Sequence, residues 1–358
     1  MTRALLGARH FLVPRHHPRA LIVLMTLVGA MLVVISAGVG SLHMSAGRIF
    51  GHLLSYLGMG TSPLSDLEAS VLMSIRLPRV LGAAAAGAVL AMTGVLMQTF
   101  FRNPLAEPAI VGVASGGALG AVTWIVTGHL LGPLMFVPTQ FALPVMAFAG
   151  SAVVCVAILA VSRDRDGQVD ATTMLLAGIA VNAVTGAGIG LLIFVADDAQ
   201  LRDLTFWGMG SLANISWAQL AVLIPVFLVT VLFGLRFSPI LNALLLGDSA
   251  AHDLGINVRL VKLSVIALTC LACACVVAMC GVIGFVGLIA PHGARKLVGP
   301  DHKVLIPLSL VLGAILLGLA DLIARTIVSP SELPIGILTA LAGGPIFLWL
   351  LKQRRTER

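Results

Sequence analysis

Nine apolar runs, each close to the length needed to cross a bilayer, constrain this chain more than any other feature. They cover residues 20–40, 80–101, 110–127, 143–161, 174–196, 220–246, 263–291, 304–327 and 333–351. A helix spanning a hydrocarbon core of about 30 Å needs roughly 20 apolar residues. Composition agrees: 59% of the 358 residues are hydrophobic and 10% charged, against about 25% charged in a soluble domain, and the mean hydropathy is +1.06. The chain is an integral membrane protein. Only 5% of residues are aromatic while 38 are glycine, which favours closely packed helices over a barrel with aromatic girdles. The expected fold is an all-α polytopic membrane protein.

Nine spans would place the two chain ends on opposite sides, yet both carry positive clusters: Arg3, Arg9, Arg15 and Arg19 at one end, Lys352, Arg354, Arg355 and Arg358 at the other. Positive charge gathers on the cytoplasmic side. The run 263–291 is too long for one span and contains Gly281, Gly284 and Gly287, so it is read as two. Ten transmembrane segments result, with both termini cytoplasmic. Of the 22 basic residues, only Arg48, Arg76, Arg79, Arg202 and Arg325 then fall on the outer side. The net charge of +7 therefore describes orientation, not affinity for nucleic acid. The organisation is a tail over 1–19, one membrane domain over 20–351 and a tail over 352–358. Within the domain, 41–75 is an external segment with an amphipathic stretch at 44–56, and 247–262 is the longest cytoplasmic loop.

Chemistry is sparse. Cys270, Cys273, Cys275 and Cys280 sit in an apolar helical run where four sulfurs cannot converge on one ion, and they read as small apolar residues. The nine histidines are scattered, so no metal site is expected. No phosphate-binding Gly-x-x-x-x-Gly-Lys motif and no catalytic signature occurs. Asp321 is the main charge within a span. Gly112, Gly116 and Gly120, and likewise Ala83, Gly87 and Ala91, form small-residue faces for close helix contact; Gly186, Gly188 and Gly190 lie in a span with no strand before them.

The informative strings lie at helix ends. Arg76-Leu-Pro-Arg79 opens the second span, Asn103-Pro-Leu-Ala-Glu-Pro108 joins the second to the third, and Glu332-Leu-Pro-Ile-Gly336 opens the last. In the longest cytoplasmic loop, Asp248, Ser249, Ala250, Ala251, His252, Asp253, Leu254 and Gly255 form a short helix ended by glycine. With Gly284-Phe-Val-Gly-Leu-Ile-Ala-Pro-His292 and Val298-Gly-Pro-Asp-His302, these strings resemble the permease subunits of ATP-binding-cassette importers for iron siderophores, haem and cobalamin. The likeness runs in order from Arg76 to Lys352.

The resemblance implies a type II importer permease in the bacterial inner membrane. It implies a homodimer, two cytoplasmic ATPase subunits that bind ATP and Mg, and a periplasmic substrate-binding protein. The permease itself is no enzyme and binds no cofactor. By the same resemblance Arg76, Arg79 and Arg325 dock the binding protein. The stretch Asp248 to Gly255 is the coupling helix that enters an ATPase cleft, with small Ala250 and Ala251 permitting close approach. Asn103, Leu105, Thr172 and Thr173 close the cytoplasmic exit. The stretch from Ala196 to Ser211 is most similar to haem-importer permeases, with a ferric siderophore or cobalamin as the other substrates. Two readings from other classes are an intramembrane enzyme, which would need several facing acid, base or metal residues, and an ion-coupled transporter built around an intramembrane carboxylate.

Overall fold

The nine apolar runs all become helices in the computed structural model, which describes residues 18–40, 42–131, 136–163 and 169–356. Arg3, Arg9, Arg15, Arg165 and Arg358 lie outside the described residues. In chain order the helices are α1 (Pro18–Gly38), α2 (Ala46–Ser55), α3 (Asp66–Val71), α4 (Leu77–Phe100), α5 (Val113–Leu131), α6 (Thr139–Ser162) and α7 (Ala171–Val195). Then follow α8 (Asp198–Gly208), α9 (Trp217–Leu245), α10 (Asp248–Asp253), α11 (Val258–Cys280), α12 (Val286–Val298), α13 (His302–Thr326) and α14 (Ile335–Thr356). Among the described residues nine helices are long and apolar enough to cross a membrane; α2, α3, α8 and α10 are short connectors.

The long run 263–291 is indeed divided, between Cys280 and Val286. The second piece is unusual, because 13 residues of α12 rise only about 20 Å. The non-helical residues 281–285 precede it and end in a turn in which Val286 N–H donates to the Gly284 carbonyl at 2.9 Å. α12 alone is thus too short to cross a core of about 30 Å, and the unwound residues before it are packed within the bundle. Unwound backbone at that depth must find partners, and it does: Phe285 N–H donates to Glu107 Oε1 at 2.7 Å, and Cys280 C=O accepts from Ser211 N–H at 2.8 Å. Gly281 has φ +69° and lies against the Trp207 carbonyl, where any Cβ would collide. Phe285, a bulky residue with φ 67°, opens α12 in the left-handed region that such residues rarely occupy.

α4 is the central helix. It is buried along nearly its whole length and is enclosed by α9, α11, α12 and α13. Its Ala- and Gly-rich sequence explains this, because small side chains let backbones touch and dispersion contacts drive helix association in lipid. A Cβ at Gly87 would strike the Gly313 backbone of α13, and one at Gly94 the Gly287 backbone of α12. The face of Gly116 and Gly120 packs in the same way on Gly150 and Met146 of α6. The four cysteines of α11 are buried as small apolar residues.

Outside the spans, the amphipathic stretch becomes α2, and α3 opens on a reciprocal cap between Ser65 and Glu68. Arg48 joins the two through bonds to Glu68 at 2.8 and 2.6 Å and to the Pro63 carbonyl at 3.0 Å. Arg48, one of the five arginines expected on the outer side, thus staples α2 to α3.

Candidate functional site: the two ends of the bundle

At the outer end the three arginines expected to dock a partner are turned inward. α1 ends at Gly38 with its last carbonyls unpaired, as every helix does, and with the negative end of its dipole there. Arg76, in a π-helical turn over Leu72–Arg76, donates to the carbonyls of Ala37 at 2.9 Å, Gly38 at 3.1 Å and Leu42 at 2.6 Å. Arg325 of α13 donates to Val39 C=O at 2.9 Å and to the Ser36 carbonyl and hydroxyl. Both guanidinium groups cap the same helix end.

Arg79 lies beside them in the first turn of α4. It meets Asp321 Oδ1 at 2.9 Å and Glu332 Oε1 at 2.8 Å, while Arg325 ion-pairs with the other Asp321 oxygen at 3.4 Å. The Asp321 side chain is 1% exposed and those of Arg79 and Arg325 are 8% and 7% exposed. Arg76, Arg79 and Arg325, the residues assigned to docking, are thus all held by the chain's own carbonyls and carboxylates. Burying a charge unpaired is costly, and the chain places these groups where helix-end carbonyls and carboxylates neutralise them. Glu332, 40% exposed, is the member of the cluster open to solvent. It lines an outer cavity of about 360 Å³ together with Asp203, Trp207, Asn214 and Met279.

At the basic end α10 follows α9 after only Leu246 and Gly247, with Gly247 at φ 113° and Gly255 at φ 78° bounding it. Ser249, His252, Asp253, Leu254 and Gly255 are exposed. Ala251 is fully buried in this chain's own core and Ala250 is half-buried, so Ala251 seats the helix on its own bundle and is not available for approach by a partner. Asp248 pins the start of α10 through Lys262 Nζ at 2.5 Å and Arg102 at 3.4 Å. A short helix, held at one end and exposed along its outer side, results.

The two strings assigned to the exit lie in the loop after α4 and at the start of α7. The loop after α4 contains Asn103, whose side chain accepts from Leu105 N–H at 3.1 Å, and continues into a 3-10 turn over Pro108–Val111 that packs on α7. Thr172 and Thr173 are exposed in the first turn of α7, whose N-cap Asp170 accepts from Thr173 N–H at 2.6 Å. That bond holds the Asp170 carboxyl below the usual carboxylate range. Glu107, which caps the unwound stretch, was not singled out from the sequence. Its one visible signal was an acidic residue between Ala106 and Pro108 in an otherwise apolar string.

Comparison with known proteins agrees with this arrangement. The chain is 40% identical over 344 residues to the hemin transport system permease protein HmuU of Yersinia pestis, covering 96% of this chain and 98% of that protein. It is 37% identical to the Fe(3+)-citrate import system permease protein YfmE of Bacillus subtilis, covering 94% and 95%. With the vitamin B12 import system permease protein BtuC of Vibrio cholerae it shares 38% identity over 81% and 85%. A solved structure described as an inward-facing conformation of a metal-chelate type ABC transporter superposes with a TM-score of 0.78 at 33% identity, covering 93% of this chain and 99% of that one. The FecCD transport family matches residues 11–353. With a helical bundle, an exposed inner connector and relatives of this kind, the chain belongs to the FecCD transport family as a permease of an ABC importer.

Proposed function

We propose that this permease works as a homodimer in the bacterial inner membrane and moves haem from a periplasmic binding protein to the cytoplasm. Two separate ATPase subunits would bind ATP and Mg, and this chain would hold no cofactor. The observation that carries the substrate is the 40% identity to a hemin permease along 96% of the chain. A ferric chelate or cobalamin would make the same demand for a wide, weakly polar path.

Three features support the assembly. The outer side of α10 offers Ser249, His252, Asp253 and Leu254 to an ATPase cleft, and α10 is anchored from behind by Asp248 and Ala251. α7 is exposed around most of its surface, with Leu176, Ile179, Val184, Leu191 and Phe194 uncovered, which suits burial against a second copy along a shared path. At the outer rim an acidic lobe of a binding protein could reach Arg79 by exchanging with Glu332, and Arg76 and Arg325 would hold α1 in place beneath it. Asn103, Leu105, Thr172 and Thr173 would form the exit gate.

The ion-coupled reading is less favoured, because the carboxylate on which it was built, Asp321, is paired with two guanidinium groups. Vesicles holding the permease, its ATPase and its binding protein should take up haem only when ATP is supplied. Uptake of a ferric siderophore with no response to haem would overturn the substrate. Uptake driven by an ion gradient without ATP would overturn the ATPase partnership.

A further inference from the structure

The last turn of α4 and the residues just after it are joined to the helices around the inner end. Gln98 Oε1 accepts from Arg295 of α12 at 2.9 Å. Phe100 lies under the Lys262 ammonium of α11 at 5.7 Å from its ring centre. Arg102, with φ 47°, reaches Asp248 of α10 at 3.4 Å. Between them Thr99 Oγ1 lies 2.7 Å from His302 Nε2 of α13.

His302 is fully buried and Thr99 nearly so. The imidazole is held on both sides. Nδ1–H donates to Asn242 Oδ1 at 2.6 Å, and the same oxygen accepts the His302 backbone N–H at 2.9 Å. The Asn242 amide cannot be turned round, because its Nδ2 donates to Asp301 Oδ1 at 2.8 Å. With the Nδ1 proton so placed, Nε2 of the neutral ring is an acceptor, and it shares the single Thr99 hydroxyl proton with the Val95 carbonyl of the same helix, 2.8 Å from Thr99 Oγ1. Asn242 occupies the last turn of α9, directly before α10. On the other side, the exit loop starts from the α4 turn itself: Asn103 N–H donates to Gln98 C=O at 3.1 Å.

We propose that His302 is a positioning residue for coupling, one that carries movement of α10 and the end of α9 through Asn242 to Thr99, and so to the loop of Asn103 and Leu105. The inference rests on the permease reading, in which an ATPase moves α10. Two elements joined by buried hydrogen bonds must move together or leave polar groups with fewer partners, which is what makes such a contact transmit force and not merely add stability. The shape of the ring matters as well, since only a group with two opposed polar atoms in one plane bridges Asn242 and Thr99.

The test uses the full complex in lipid discs with a Leu105→Cys reporter. The five native cysteines are buried, so labelling by a bulky polar maleimide reports the exit loop. Labelling is compared between the nucleotide-free state and the state trapped with ATP and vanadate, with retention of the ATPase subunits measured on the same sample. Thr99→Val and His302→Asn should each shrink the nucleotide-dependent change in labelling rate by roughly fivefold, the equivalent of about one hydrogen bond. The double variant should lose no more than the worse single one, because both cut the same contact. Ser309→Ala, equally buried in α13 and bonded only within its own helix, should keep the full change. Should His302→Asn fail to assemble, the near-isosteric Thr99→Val decides.

A full response in Thr99→Val with ATPase subunits bound overturns the inference. So does a loss in Ser309→Ala as large as in Thr99→Val, which would mean general loosening of α13. A parent complex whose reporter ignores nucleotide altogether would instead break the ATPase partnership on which the inference stands.

Discussion

The two ends of α4 use the same residue types to opposite effect. At the outer end Arg79 is sealed between Asp321 and Glu332, with Arg76 and Arg325 spent on the end of α1. At the inner end Arg102 and Asp248 form a pair that is 46% and 39% exposed, in front of a short helix with an uncovered face. The outer charges close the chain on itself and the inner ones leave an edge for a partner. An arginine at a helix end in a membrane protein is therefore no guide to docking until its nearest helix terminus is known.

The largest expected effect tests the sealed end. Arg79→Ala strips Asp321 of its principal partner in a nearly water-free site, and breaking a buried pair by removing one member costs about 3–5 kcal/mol. Thermal unfolding in detergent should fall sharply, and Arg79→Ala combined with Asp321→Ala should recover part of the loss, because the stranded carboxylate is then gone. A variant Arg79→Ala as stable as the parent would mean that the outer charges are not structural.

Next in size is Arg76→Met. Three carbonyls at and just beyond the end of α1 lose a charged donor, worth about 1.5–3 kcal/mol for hydrogen bonds to charged groups. The damage should be local, seen as faster hydrogen exchange in the last turn of α1 and in the residues that follow it, with α5 to α7 unchanged. Uniform loss across the bundle would argue that α1 is not separately anchored.

These two predictions mark the boundary of what was legible in the sequence. The spans could be read because hydropathy over a window is a local property, and the division of 263–291 could be read because positive clusters at both ends demand an even number of crossings. What holds the unwound stretch could not: glycines at 281, 284 and 287 suggest a break, but its partner Glu107 lies in another loop. Likewise Arg76 is 38 residues from the Gly38 carbonyl that it caps, and Thr99 is 203 residues from His302. The helix at Asp248 to Asp253 and its glycine stop were legible, whereas the burial of Ala251 was not, because it depends on which side of a six-residue helix faces the bundle.

A smaller effect is expected at the exit. Asp170→Ala removes the N-cap of α7, typically about 1 kcal/mol, and should loosen the turn that carries Thr172 and Thr173 without lowering the unfolding temperature much. The pH dependence has a definite sign. The carboxyl lies below its ordinary value of 3.8 because the Thr173 N–H bonds the charged form. Its stabilisation is therefore complete above that ordinary value and is lost as pH falls through the lowered one. Protection of the Thr173 amide should be flat from neutral pH down to the ordinary carboxylate range and should drop only below it.

The smallest effect on stability, and the sharpest on the comparison, is expected from Asp248→Asn. Its pairs with Lys262 and Arg102 are partly open to water, so screening limits their worth to about 0.2–1 kcal/mol. The bundle should unfold near the parent temperature. What changes is the start of α10, which loses its ionic anchor while Ala251 still holds its middle. If the inner end is an edge kept ready for a partner, ATPase subunits should dissociate faster from Asp248→Asn than from the parent, and faster at high salt in the parent as well, because salt weakens the same pairs. A variant that holds its ATPase as firmly as the parent at every salt concentration would show that α10 is positioned by its apolar seat alone. The contrast between a sealed outer end and an ionically poised inner end would then reduce to a difference in burial.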